Sequence, residues 1–286
     1  MFGGIFLEQS PITGQAAGVP FIAVPPTNSP RESAPIVGAW HLMDPPRTEA
    51  AFAAALPLDG LDAWRIYLGL PMTGSRTPAG GPEEIMRLGM EDAVLNLFEP
   101  IITGAAAEFP SALRALREQL GMRSDVIGLL GGSAGSSVAQ VVLAEGDIPI
   151  KVAVLVSPMT QLRPVIDANA KRFGMSYPWA DQSNAVADRL DFVARAGEIA
   201  ERQDEPPIMM IVGEADDEAL RQAAAEEHAA LNGAYSDPGR VRLVTIAGMP
   251  HALADAPGIE PAPPNANAAE VDRFAVQWFR EHLTTR

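Results

Sequence analysis

The stretch Val126-Ile127-Gly128-Leu129-Leu130-Gly131-Gly132-Ser133-Ala134-Gly135-Ser136-Ser137-Val138 decides how this 286-residue chain is read. An apolar run ends in Gly-Gly-Ser-Ala-Gly, and the small residues that follow read as the start of a helix. Gly131-x-Ser133-x-Gly135 fits a sharp strand-to-helix turn with a serine at its tip. The glycines have a steric reason: a Cβ at Gly131 or Gly135 would collide with the strand or helix packed against the turn. A serine hydroxyl is a weak nucleophile. It needs a general base within hydrogen-bond reach, and the base needs a carboxylate to hold its tautomer.

Strand candidates flank this stretch on both sides. Upstream are the short runs at 5–7 and 19–24, separated by Ser10-Pro11-Ile12-Thr13-Gly14 and read as a hairpin or two edge strands. A buried-strand candidate at 35–40 and another at 64–70 follow, with an alanine-rich helix at 47–56 between them. A Gly/Pro-rich loop at 73–82 leads into helical segments at 83–102 and 111–120, the second ended by Gly121. Downstream, 152–156, 208–212 and 241–246, the last interrupted by Arg242, are apolar runs of the kind buried on both faces of a sheet. Helices are expected at 218–231 and 268–283, the latter with Asn267 and Glu270 as a capping box. Strands alternating with helices imply a mostly parallel α/β sheet covered on both faces. Residues 158–207 break the alternation and carry Phe173, Tyr177, Trp179 and Phe192. They read as a cap or lid insert within a single domain spanning 1–286.

Composition excludes several classes of function. Lys and Arg number 21 against 36 Asp and Glu, for a formal net charge of −15, which argues against nucleic acid and anionic membranes as partners. With no cysteine, neither a disulfide nor a thiolate site can form. His, Asp and Glu are not clustered at metal-ligand spacings, and neither Gly80-Gly81 nor Gly131-Gly132 is a phosphate loop, so no metal or cofactor is expected. The N-terminus lacks a basic start and a long apolar run, and no segment nears the ~18 apolar residues of a membrane span. A soluble cytoplasmic protein is expected.

The partners of Ser133 are sought at later strand ends. Ile211-Val212-Gly213-Glu214-Ala215-Asp216-Asp217 offers the acid, with Asp216 favoured by its Gly-x-x-Asp spacing. Asp217, which could instead cap the next helix, and Glu214 are its rivals, and Asp167 on the insert is a more distant one. Of four histidines, His228 and His282 fall on helices and His41 follows an early strand. His251, in Gly248-Met249-Pro250-His251, lies in a loop after the last strand and is the expected base.

A serine, then an acid, then a histidine, each at a strand end, resembles the α/β-hydrolase superfamily of serine hydrolases over nearly the whole chain. The resemblance implies an eight-stranded, mostly parallel sheet with an insert after the sixth strand, and Ser133, Asp216 and His251 as a catalytic triad. It also implies an oxyanion hole built from the N–H of Ala134 and a second N–H in Trp40-His41-Leu42-Met43-Asp44, where many relatives carry His-Gly. Leu42 and Met43 are both candidates for that donor. Trp40, His41, Met159, Trp179 and Met249 are candidate pocket residues for a small-molecule ester. The expected activity is carboxylic ester hydrolysis through an acyl-serine. A peptidase or amidase of the prolyl oligopeptidase type, though without a propeller-sized N-terminal extension, and a non-catalytic binding scaffold are the alternatives.

Overall fold

The apolar runs stack side by side in one sheet. The computed structural model describes residues 10–201 and 205–283. Its strands are β1 (Ile12–Ala16), β2 (Val19–Val24), β3 (Ile36–Trp40), β4 (Trp64–Leu68), β5 (Ile127–Gly132), β6 (Val152–Val156), β7 (Ile208–Gly213) and β8 (Val241–Ile246), in the spatial order β1-β2-β4-β3-β5-β6-β7-β8. β1 and β2 pair antiparallel, as do β2 and β4. From β4 through β3 to β8 every pairing is parallel. The helices are α1 (Glu49–Ala55), α2 (Gly81–Ala93), α3 (Glu99–Leu120), α4 (Ala134–Glu145), α5 (Leu162–Arg172), α6 (Asp181–Arg189), α7 (Ala196–Ala200), α8 (Glu218–Ala234) and α9 (Ala266–His282). Among the described residues, no helix is long and apolar enough to cross a membrane.

Unbroken apolar strands make sense because each face of the sheet has its own core. Along β7, Ile208, Met210 and Val212 point into the core shared with α3, α4 and α8, whereas Met209 and Ile211 point into the core shared with α1 and α9. The period-2 alternation thus sends every side chain of the run into apolar surroundings. A polar tie joins two helices of one layer. Glu227 on α8 is fully buried, with its carboxyl pushed well above the usual range by loss of water. The Gln140 amide on α4, oriented with its nitrogen towards Glu227, donates to it.

Several element boundaries differ from the sequence reading, each for a physical reason. The first described strand is not the run at 5–7, which lies outside the described residues, but Ile12–Ala16, expected to be part of the connection. The hairpin turns instead at Ala17 and Gly18, both at positive φ. The break between the two expected upstream helices falls at Asp92 (φ −161°, ψ 99°), ahead of Pro100. The Asp92 carboxylate accepts the N–H groups of Val94 and Leu95 there. Pro100 sits in the first turn of α3, directly after a π-helical turn at Val94–Phe98, and α3 runs on through Pro110 to Gly121, which adopts the left-handed conformation. Burial of Ile101, Ile102, Phe109, Leu113 and Leu116 along α3 outweighs the ~3 kcal/mol that an interior proline costs. α9 is capped by Asn265, which accepts from the Ala268 N–H, rather than by Asn267, which lies inside the first turn. Residues 158–207 contain α5, α6 and α7, joined to α2 by a hydrogen bond from Tyr177 Oη to Asp92 at 2.5 Å.

The turn between β5 and α4 has no room for side chains. A Cβ on Gly131 would lie 2.3 Å from the Gly135 carbonyl oxygen and 2.5 Å from Ser136 Cα. One on Gly135 would lie 2.3 Å from the Trp40 carbonyl oxygen. Backbone atoms of a packed strand and helix cannot retreat from such contacts. Gly135→Ala is therefore expected to lower stability by about 1–3 kcal/mol or more in urea denaturation. Gly233→Ala on α8, where an added Cβ meets nothing within 4 Å, is expected to raise it by about 0.5–1 kcal/mol.

Candidate active site

Ser133 sits at the tip of the β5–α4 turn with φ 46° and ψ −115°, a conformation that costs a non-glycine residue about 1–3 kcal/mol. Its surroundings hold it there. The Ser133 N–H donates to the Val156 carbonyl at 2.9 Å, tying the turn to the end of β6. The Ser133 carbonyl accepts from the Ser136 N–H at 2.9 Å and from Ser136 Oγ at 2.5 Å. Ser136 Oγ in turn accepts the Met159 N–H, and Ser137 Oγ donates to the Met159 carbonyl at 2.6 Å. The loop after β6 is thereby clamped to the first turn of α4. Sequence reasoning missed these two serines, whose only signal was that they are hydroxyl residues in the first turn of a mostly apolar helix.

The loops after β7 and β8 are laced together. Ala215 N–H donates to the Met249 carbonyl at 3.0 Å, and Gly248 N–H donates to the Glu214 carboxylate at 3.0 Å. This brings Asp216 and His251 into contact, with His251 Nδ1 at 3.0 and 2.9 Å from the two Asp216 carboxylate oxygens. An ionised carboxylate only accepts, so Nδ1 carries the proton and Nε2 is left to accept. Nε2 lies 2.9 Å from Ser133 Oγ. The Asp216 side chain is 2% exposed and that of His251 20%. Burial on its own would lower the His251 pKa, but the hydrogen bond and charge of Asp216, helped by Asp44 and Asp217, outweigh it and raise the pKa above 6.5.

The rival acids are engaged elsewhere. Asp217 accepts from the Ala219 N–H as the cap of α8 and lies 3.6 Å from Arg172. Glu214 holds Gly248, and Asp167 accepts from Trp179 Nε1 at 3.0 Å. His228 lies beside Asn232 on α8, and His282 stacks edge-on against Trp278.

His41 is fully buried, and loss of water pushes its pKa down to about 4, so the ring is neutral near pH 7. The Leu70 N–H points at Nε2 from 3.4 Å, which makes Nε2 the acceptor and Nδ1 the donor. Nδ1 donates to the Leu42 carbonyl at 2.6 Å. That bond fixes the Leu42–Met43 peptide, whose N–H is Met43's and points opposite to the carbonyl. The Leu42 side chain is spent on packing: a Cβ on Gly132 would lie 2.4 Å from Leu42 Cδ1. Among the described residues, neither the Met43 nor the Ala134 N–H has a backbone acceptor.

The expected pocket residues divide. Trp40 meets Phe109 edge-on at 5.0 Å within the core, and Met159 and Met249 are buried as well, so these three build the frame rather than an open wall. Their strand-end position suggested a pocket, but their side chains turn into the two cores. Trp179 is half-buried, under the Arg163 guanidinium at 4.7 Å. Asp44, noted in the sequence only as part of the loop after β3, lies with its carboxylate 3.8 Å from His251 Nε2. Nothing in the local sequence could have shown that proximity, because it joins two loops 207 positions apart.

A family model described as the prolyl oligopeptidase family matches residues 103–285, more than half of the chain and all of the Ser133, Asp216 and His251 positions. A sequence search of curated proteins finds no match. Among solved structures, TT1662 from Thermus thermophilus is similar at 17% identity and TM-score 0.63, covering 97% of this chain and 100% of that one. Acylaminoacyl peptidase from Pyrococcus horikoshii is similar at 12% identity and TM-score 0.65, over 97% of this chain but 42% of its own. Carboxyl esterase 2 from the fungus Tuber melanosporum gives 16% identity and TM-score 0.57, over 98% and 89% of the two chains. At such identities the likeness is one of fold, and the fold is that of the α/β-hydrolases. The family match supplies the rest: the chain belongs to the prolyl oligopeptidase family and is a serine hydrolase.

Proposed function

We propose that the protein hydrolyses carboxylic esters through an acyl-Ser133 intermediate. The observation that carries this is the unbroken line from Ser133 Oγ through His251 to Asp216, with each contact at 2.9–3.0 Å. Ser133 Oγ attacks the ester carbonyl as His251 Nε2 takes its proton. Asp216 holds the imidazole and stabilises the imidazolium that forms. The Ala134 and Met43 N–H groups bind the oxyanion, Met43 rather than Leu42 because His41 aims that peptide. Each such donor is worth about 3 kcal/mol. Nε2 then gives the proton to the leaving alcohol, and water attacks the acyl-enzyme by the same route in reverse.

The substrate is a small molecule with an apolar acyl group. Large apolar side chains stand exposed on two neighbouring elements, Met86 and Met90 on α2 and Phe173 and Met175 just after α5. The Tyr177–Asp92 bond joins the segment bearing Phe173 and Met175 to the end of α2. Residues 158–207 act as a cap over the site in this reading, supported by the approach of Arg172 to Asp217. The family match favours a second reading, cleavage of peptide or other amide bonds. Amide cleavage asks more of the same atoms, because the amine must be protonated before it can leave. Paired p-nitrophenyl ester and p-nitroanilide substrates separate the two: the ester is expected to turn over at least 100 times faster per active site. A comparable anilide rate would favour the peptidase.

Ser133→Ala is expected to abolish p-nitrophenyl ester turnover, with circular dichroism and melting little changed, since alanine keeps the Cβ and with it the same backbone strain. Undiminished turnover in a clean preparation would remove Ser133 from the mechanism. For pH, the base works only when neutral. Since the His251 pKa is raised, kcat/KM is expected to fall as pH drops through a value above 6.5. Asp216→Asn removes the main cause of that raised value. The acid limb is expected to move to lower pH, with kcat down about 10⁴-fold from loss of the correct tautomer.

A further inference from the structure

Asp44 is absorbed neither by the fold nor by the triad. Its carboxylate is 3.8 Å from His251 Nε2, the nitrogen that also faces Ser133 Oγ at 2.9 Å. Its side chain is 54% exposed. Among the described residues, no lysine or arginine pairs with it, and His251 is its one ion-pair contact. A half-exposed anion is thus held beside the atoms that react, with no resident cation to neutralise it.

The side of the substrate it faces follows from the chemistry of Nε2. That nitrogen hands its proton to the leaving oxygen as the carbonyl carbon–oxygen bond breaks, so the leaving oxygen must come within hydrogen-bond distance of it, about 2.6–3.2 Å. Groups attached to the leaving oxygen then pass the Asp44 carboxylate. A neutral substituent there gains nothing from the anion. A positive charge two or three bonds beyond the leaving oxygen comes within ion-pair range. Asp44 also lies on the same loop as Leu42 and Met43, so it is carried on the peptide that His41 braces.

We infer that Asp44 is a specificity residue that selects substrates with a cationic leaving group, such as esters of amino or quaternary ammonium alcohols. This rests on the serine esterase reading and narrows it to a substrate class. The expected preference over a neutral isostere is about fivefold in kcat/KM, the size of one half-exposed ion pair, and it is screened by salt.

The test compares butyrylcholine with its uncharged carbon analogue, 3,3-dimethylbutyl butyrate, in wild type, Asp44→Asn and Asp44→Glu, at low and at 0.5 M salt. The expected result is a ratio of kcat/KM near five for wild type at low salt, near one for Asp44→Asn, and restored in part by Asp44→Glu. A merely structural role for Asp44 would change both esters alike and leave the ratio where it was. A wild-type ratio near one overturns the inference while the esterase reading stands. So does a preference that survives in Asp44→Asn, since it would then belong to the overall charge of −15. Turnover of neither ester by wild type contradicts the esterase reading itself, and this inference falls with it.

Discussion

The site depends on two close approaches of backbone to backbone between loops at the carboxyl edge of the sheet, each with no side chain between. Gly135 at the start of α4 lies against the Trp40 and His41 carbonyls, where a Cβ would be 2.3 and 2.6 Å away. Gly213 at the end of β7 lies against the Met249 carbonyl, where a Cβ would be 2.0 Å away. The first contact sets the tip of the Ser133 turn beside the loop that carries Leu42, Met43 and Asp44. The second sets the loop of Asp216 beside the loop of His251. Glycine is required at both positions by distance alone, whatever its backbone freedom. Remove either contact and the strands could still pair, but the four loops at the carboxyl edge of the sheet would no longer converge.

The two histidines near the site show how burial assigns opposite tasks to one side chain. His41 meets only a carbonyl, an N–H and the Thr73 hydroxyl, so loss of water dominates and the ring stays neutral. It serves as a brace. His251 is also largely buried, yet three carboxylates face it, and their pull overcomes the same loss of water. In the proposed mechanism it is the ring that takes the Ser133 proton. A neutral brace and a proton-accepting base could not be told apart by residue type; the charged groups around each ring make the difference.

How much was legible in the chain follows from how local each feature is. The inner parallel strands could be read because both faces of each are buried, leaving unbroken runs such as 152–156 and 208–212, whereas β8 at the sheet edge exposes Arg242 and Thr245 and its run is interrupted. Ser133, Asp216 and His251 could be read because each closes a strand, and strand ends gather at one edge. Asn265 as the cap of α9, the break at Asp92 and the hairpin at Ala17-Gly18 were missed, since single turn residues compete closely and tertiary packing chooses among them. The inward turn of Trp40 and Met249 was hidden because a strand-end position does not say which face a side chain takes. Asp44 was invisible as a neighbour of His251 for a deeper reason: the contact exists only once β3 and β8 occupy the same sheet.

The central claim is that Ser133, activated by His251, is the one serine that attacks an electrophile. Fluorophosphonate labelling followed by intact-mass and peptide mapping tests it directly. The expected result is a single phosphonyl adduct per chain on the peptide containing Ser133, formed at a rate that collapses in His251→Ala. Labelling confined to another serine, or a folded protein that takes up no label at all, would contradict it.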